Sequence, residues 1–94
     1  FTKEKTRRLE WTFIFTHDVS FNEVKETISG ILSEDKRILT KVPTVVGLDQ
    51  ITEQGIHVKV RAWVKTADFT QVYFDVNAQA LVSFGQANIH FAKS

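Results

Sequence analysis

Trp63 sits between Arg61 and Lys65 at alternate positions of the run Ile56 to Lys65, and no other group in the chain is as well suited to recognition chemistry. A large ring flanked by two cations can stack on a nucleobase or insert into another protein surface. The remaining reactive side chains form no comparable set. His17, His57 and His90 have no His or carboxylate partner at i, i+4 on a shared helix face, so no metal site is expected. Gly30, Gly47, Gly55 and Gly85 are isolated and make no phosphate-binding loop, and neither GxSxG nor CxxC occurs. Ser29 and Ser33 have no evident base. Glu34, Asp35 and Asp75 read as solvated surface carboxylates. These residue types point to no enzyme and no cofactor.

The elements that carry these residues follow from hydrophobic periodicity. Ile56, Val58, Val60, Ala62 and Val64 alternate with His57, Lys59, Arg61, Trp63 and Lys65, the pattern of a strand with one buried face. Phe69, Val72, Tyr73, Val76, Ala80 and Phe84 then recur at spacings of three and four, a helical stripe able to lie on that face. Upstream, Leu9, Trp11, Phe13 and Phe15 alternate with Arg8, Glu10, Thr12 and Ile14 in a first strand. Ser20 and Glu23 have capping-box spacing, with Val19 and Val24 as the flanking staple, so a helix starts near Phe21. Its buried stripe is Val24, Ile28, Ile31 and Leu32, and it is expected to continue through Ser33 to Arg37 as far as Leu39.

Pro43 biases Val42 to extended geometry and leads into a strand over Thr44 to Ile51. Glu53-Gln54-Gly55 turns the chain, with Gly55 at positive φ. Gly85 is expected to cap the second helix, and Ala87, Ile89 and Phe91 to form a last strand. The order β-α-β-β-α-β predicts a ferredoxin-like α+β fold, a four-stranded antiparallel sheet with both helices on one face. Ile14, His57, Lys59, Arg61, Trp63 and Lys65 then fall on the helix-free face, where a Trp is costly unless covered. Neighbouring strands and lysine stems offer one cover. Another subdomain offers a second, and on that reading Arg61, Trp63 and Lys65 are a candidate subunit interface.

Composition limits the alternatives. A chain of 94 residues with 43% hydrophobic and 24% charged content is one folded domain. A net charge of +1 gives no general attraction to nucleic acid or anionic membrane. Cysteine is absent, so there is no disulfide framework and no thiolate metal site. Apolar runs of a few residues fall far short of the roughly 20 that cross a bilayer. The start in a charged segment without Met, and without a signal-peptide pattern, reads as a piece of a longer protein.

Several short stretches together resemble one family. They are Arg7-Arg8-Leu9-Glu10-Trp11, Val24-Lys25, Ile31 to Leu39, Pro43-Thr44-Val45, and Arg61-Ala62-Trp63 followed by Tyr73-Phe74-Asp75-Val76. In order and spacing they look like the carboxyl-terminal cytoplasmic α/β subdomain of small-conductance mechanosensitive (MscS-type) channels, from about Arg7 to Ile89. The resemblance implies a ferredoxin-like domain over residues 7–94, preceded at residues 1–6 by a linker from a small β domain. It implies a cage of seven copies beneath the pore, on the cytoplasmic side of the inner membrane, in a channel that releases ions and small solutes on hypoosmotic shock. Implied partners are other copies of the chain, the upstream β domain and the transmembrane domain; nucleic acid and direct membrane contact are not implied. The resemblance also implies an aromatic-proline stretch and a barrel strand after the last strand, neither of which falls within Ile89 to Ser94. The competing expectation is a stand-alone ligand- or RNA-binding module, although the aromatic-rich RNP signature is missing from the third strand.

Overall fold

A computed structural model describes residues 5–92. The elements are β1 (Thr6–Phe15), α1 (Phe21–Glu34), β2 (Val45–Thr52), β3 (Gly55–Lys65), a single 3-10 turn (Thr66–Asp68) and α2 (Phe69–Gln86). Of the expected linker and domain, residues 1–4 and 93–94 lie outside the described residues. β3 is the central strand, in the order β1-β3-β2 with antiparallel pairing on both sides. Trp11 and Val46 both lie opposite Val60, and Phe13 and Leu48 both lie opposite Val58. Partners across a ladder share a face, so this register turns the apolar row of each strand to the same side. Both helices cover that side: α1 packs against β2, and α2 against β1 and β3.

Leu9, Trp11 and Phe15 of β1 and Val58, Val60, Ala62 and Val64 of β3 are buried beneath Val24, Ile28, Ile31 and Leu32 of α1 and Val72, Val76, Ala80 and Phe84 of α2. Phe13 points the same way but is only partly buried, against Phe84, Phe15 and Phe91. The deepest aromatic pair is Phe15 with Phe84, edge to face at 4.9 Å. Trp11 stacks on Tyr73 at 5.9 Å and donates its indole N–H to the Tyr73 carbonyl at 3.4 Å. Burying the indole therefore leaves no unmatched donor.

Local chemistry sets the ends of the elements. Ser20 caps α1 by accepting the Glu23 N–H at 3.4 Å. Contrary to the expectation of a run to Leu39, α1 stops at Glu34. Asp35 ends it: this residue is extended, and its carboxylate accepts the Arg37 backbone N–H at 3.0 Å. A short acid that bonds backbone two residues ahead competes with the next helical turn. Gly55 takes φ +152°, and a Cβ there would stand 1.9 Å from the Phe15 carbonyl oxygen. Any other residue would collide with β1.

The fourth strand is the main correction. Among the described residues the sheet has three strands, and the segment expected as the fourth is reduced to one bridge between Phe15 and Phe91. Two hydrogen bonds hold it, Thr16 N–H to the His90 carbonyl at 3.1 Å and Ala92 N–H to the Ile14 carbonyl at 2.9 Å. The helix uses up the residues a strand needs, since α2 passes through Gly85 and ends only at Gln86. Asn88, at φ 59°, takes the left-handed position assigned to Gly85. Ile89 N–H bonds to the Phe84 carbonyl and Asn88 N–H to the Gly85 carbonyl, the paired closure of a Schellman motif.

In this packing Phe15 is the side chain whose loss is felt most. Phe15→Ala is expected to cost about 3–5 kcal/mol in denaturant unfolding, while exposed Thr12→Ala costs well under half of that. Equal shifts in the two midpoints would mean that the register of β1 is wrong.

Candidate subunit interface

The helix-free face of the sheet is built by alternate residues of β1 and β3, with Val45, Gly47 and Gln50 of β2 opposite Arg61, Lys59 and His57. Arg8 lies opposite Trp63, Glu10 opposite Arg61, Thr12 opposite Lys59, Ile14 opposite His57 and Thr6 opposite Lys65. Arg8, Lys59, Arg61 and Lys65 give this face a cationic character. Glu10 is the carboxylate among these residues, and it accepts Arg61 Nε at 2.8 Å with Lys59 Nζ at 3.5 Å. The Arg61 hydrogen bond, with Lys59 nearby, holds the Glu10 carboxyl below its ordinary range. Two cations share one acid. That arrangement fixes Arg61 in place and leaves positive charge in excess.

Trp63 is half-buried, and its cover comes from the chain itself. After α1 the backbone returns to β3, where Ile38 bridges Val64 and Leu39 N–H bonds to the Trp63 carbonyl at 2.8 Å. Thr6, Leu39, Thr40, Lys41, Val42, Trp63 and Lys65 together line a shallow groove beside the ring. The three expected interface residues thus share a face but differ in setting. Arg61 is paired with Glu10, Trp63 is flanked by residues 39–42, and Lys65 lies at the exposed end of β3. A helix continuing to Leu39 would hold Ile38 and Leu39 away from the sheet; the end of α1 at Glu34 frees them to pair with β3.

His17, His57 at the end of this face, and the charges that follow α1 have structural work. His17 Nε2 donates to the Thr52 carbonyl at 2.6 Å, and the Thr52 hydroxyl lies 2.8 Å from His57 Nε2, so both rings brace the β2–β3 hairpin. Among the described residues no cluster of His, Asp or Glu could hold a metal ion. Arg37 clasps Asp35 at 2.7 Å and Asp75 of α2 at 2.9 Å, which ties the end of α1 to the second helix. Its guanidinium holds both carboxyls below their usual range.

Sequence reasoning also missed a second apolar surface. The buried stripe of α2 uses Val72, Val76, Ala80 and Phe84, yet Phe74, Leu81 and Val82 are 59%, 68% and 51% exposed on the opposite side. Phe74, Ala78 and Leu81 fall at i, i+4 and i+7, so the signal was present as a second helical period.

The described residues thus form a three-stranded antiparallel sheet with two helices on one face and a cationic open face on the other. The chain belongs to the MscS family of mechanosensitive ion channels: the family model described as "Mechanosensitive ion channel MscS, C-terminal" matches residues 9–91. It is 26% identical over 90 residues to an uncharacterized MscS family protein of Buchnera aphidicola subsp. Baizongia pistaciae, covering 96% of this chain and 32% of that protein. It is also 26% identical over 76 residues to the small-conductance mechanosensitive channel of Edwardsiella ictaluri, covering 81% of this chain and 27% of that one. Helicobacter pylori MscS, solved in its closed state, shares the fold with a TM-score of 0.86 at 21% identity, over 95% of this chain and 36% of that chain. This chain therefore spans about a third of the length of the curated relatives it matches.

The Arg37 clasp has a pH signature. Asp35 and Asp75 have depressed folded pKa values, so their contribution to stability is fully present above the unfolded value of about 3.9. It is lost as pH falls through the folded values. Arg37→Gln is expected to lower the unfolding midpoint at neutral pH, with a gap to the unaltered chain that closes as pH drops below about 4. A gap that persists undiminished in acid would exclude the two carboxylates as its cause.

Proposed function

We propose that this domain is a cage-forming cytoplasmic part of an MscS-type channel, which opens under membrane tension and releases ions and small solutes on hypoosmotic shock. The observation that carries the reading is the match of the family's C-terminal region to residues 9–91, nearly the whole chain. Among the described residues no helix is long and apolar enough to cross a membrane. On this reading conduction and tension sensing belong to other segments of the channel. The domain contributes walls: seven copies, held with a preceding β domain below the pore, enclose a vestibule through which solutes pass. No chemical step is assigned to it.

The face bearing Arg61, Trp63 and Lys65 is the proposed contact with a neighbouring subdomain. Its excess of cations would also suit single-stranded RNA, but RNA-binding sheets stack two or three bases on spaced aromatics. Here the facing positions are Arg8, Glu10, Thr12 and Ile14 of β1 and Val45, Gly47 and Gln50 of β2, so among the described strand residues Trp63, flanked by residues 39–42, is joined only by the His57 ring, which is held against Thr52. The assembly reading fits that arrangement better.

Trp63→Ala is expected to leave the domain folded by circular dichroism while weakening survival of hypoosmotic shock when placed in the complete channel. The isolated 94-residue chain is expected to sediment as a monomer or weak oligomer, because contacts from the rest of the channel are missing. A tight heptamer at micromolar concentration would contradict that second expectation. Salt-sensitive RNA binding that vanishes in Trp63→Ala would count against the channel role of this face.

A further inference from the structure

The two edges of the sheet are unlike. On β2 the ladder slips between Leu48 and Gln50, and such a slip bends an edge out of line for further pairing. β1 pairs with β3 from Thr6 to Phe15 without a break. At the Phe15 end, Thr16 N–H meets the His90 carbonyl and Ala92 N–H the Ile14 carbonyl, so the even-numbered residues turn their backbone groups away from β3. Strand alternation carries that direction back to Thr12, Glu10 and Arg8. Among the described residues, the outward N–H and C=O groups of these three have no backbone partner.

An apolar wall stands over this open edge. α2 lies above β1, since Tyr73 stacks on Trp11 and Phe84 meets Phe13 and Phe15. Asp75 and Gln79 turn towards α1, where they border one cleft with Ile31 and Glu34. Helical spacing then puts Tyr73, Asn77 and Leu81 on the flank away from α1, with Phe74 beside them, and all but Asn77 are exposed. The Thr6 end of the edge is basic, with Lys5, Arg7 and Arg8 exposed. The first acid after them is Glu10, and Arg61 and Lys59 hold it.

From this juxtaposition we infer that β1 receives an added strand from another protein, an extended segment of about six residues lying antiparallel along Arg8 to Phe13. Its side chains towards α2 are apolar, and the residue opposite Arg8 is acidic. Outward backbone groups in ladder register call for a main chain, which neither a nucleic acid nor a lipid presents at strand spacing. The wall of Tyr73, Phe74 and Leu81 calls for an apolar residue at every second position, and Arg8 for a carboxylate directly across from it. The same edge of a second copy does not supply that carboxylate, because its Glu10 is held by its own Arg61 and Lys59. The inference concerns a surface of the single domain and is independent of the cage reading.

The probe is a blocked octapeptide that alternates valine with threonine and ends in glutamate, added to the ¹⁵N-labelled chain. The amides of Arg8, Glu10 and Thr12 are expected to shift, and to exchange with solvent about tenfold more slowly at saturation. Directly paired residues share a face, so the threonines and the glutamate are the residues whose N–H groups meet β1. N-methylation of those residues is expected to abolish the effect, and N-methylation of the valines to leave it. Arg8→Glu is expected to reverse the preference between a glutamate and a lysine ending. No shift at millimolar peptide would overturn the inference, as would equal effects of the two methylated peptides or shifts centred on β2 or on the groove beside Trp63. An affinity indifferent to the ending would remove the acidic partner. Concentration-dependent shifts of the same amides without peptide would assign the edge to a second copy and overturn the inference as well.

Discussion

The inward row of β3, Val58, Val60, Ala62 and Val64, is completely buried, and every other element is arranged to keep it so. Hydrogen bonds to β1 and β2 fix its two edges, and Ile38 with Leu39 extends the pairing beyond the start of β2. A branched apolar row of this kind stays dry only under a helix layer without gaps. That requirement explains why α1 and α2 pack on each other and on the sheet, and why Arg37 clasps the two at the end of α1. The outer face of the same strand is released from the constraint. Lys59, Arg61 and Trp63 can occupy it because burial is decided entirely on the other side.

Where a single local force acts, the sequence is readable. The alternation in β1 and β3 reports a strand with one dry face, and the structure places those rows as the alternation requires. Ser20 announces α1, and Gly55 announces the hairpin, because caps and left-handed turns depend on few atoms. The misreadings occur where two local preferences compete. Gly85 is a plausible stop, but a Cβ there would meet nothing within 4 Å, so its lack of a side chain serves no turn and the helix runs on to the Asn88 closure. Asp35 was legible as a surface acid but not as a helix terminator, since that role needs Arg37 positioned to donate to it.

The candidate surfaces were legible to different degrees for a related reason. Period two puts Arg61, Trp63 and Lys65 on one face without knowledge of the fold, but only tertiary pairing brings residues 39–42 beside the indole. The α2 stripe was hidden by its own abundance of apolar residues. A helix apolar on two sides satisfies the search for a buried face at the first stripe, and the second then looks like more of the same. On the assembly role proposed above, that excess has a context, since a domain packed against neighbours has fewer surfaces that must be compatible with water.

The two tryptophans stand back to back across one sheet. Trp11 lies under α2, stacked on Tyr73, and Trp63 lies on the opposite side beside the 39–42 segment. Their emission consequently reports two different layers of the molecule from one excitation. Trp11, in an apolar enclosure, is expected to give the shorter-wavelength component and to change when the helices separate from the sheet. Trp63, partly wetted, gives the longer-wavelength component and responds to whatever approaches the open face. Loosening of the interior and contact at the exterior are thus expected to be spectrally distinct, because the two rings sit in layers of different polarity.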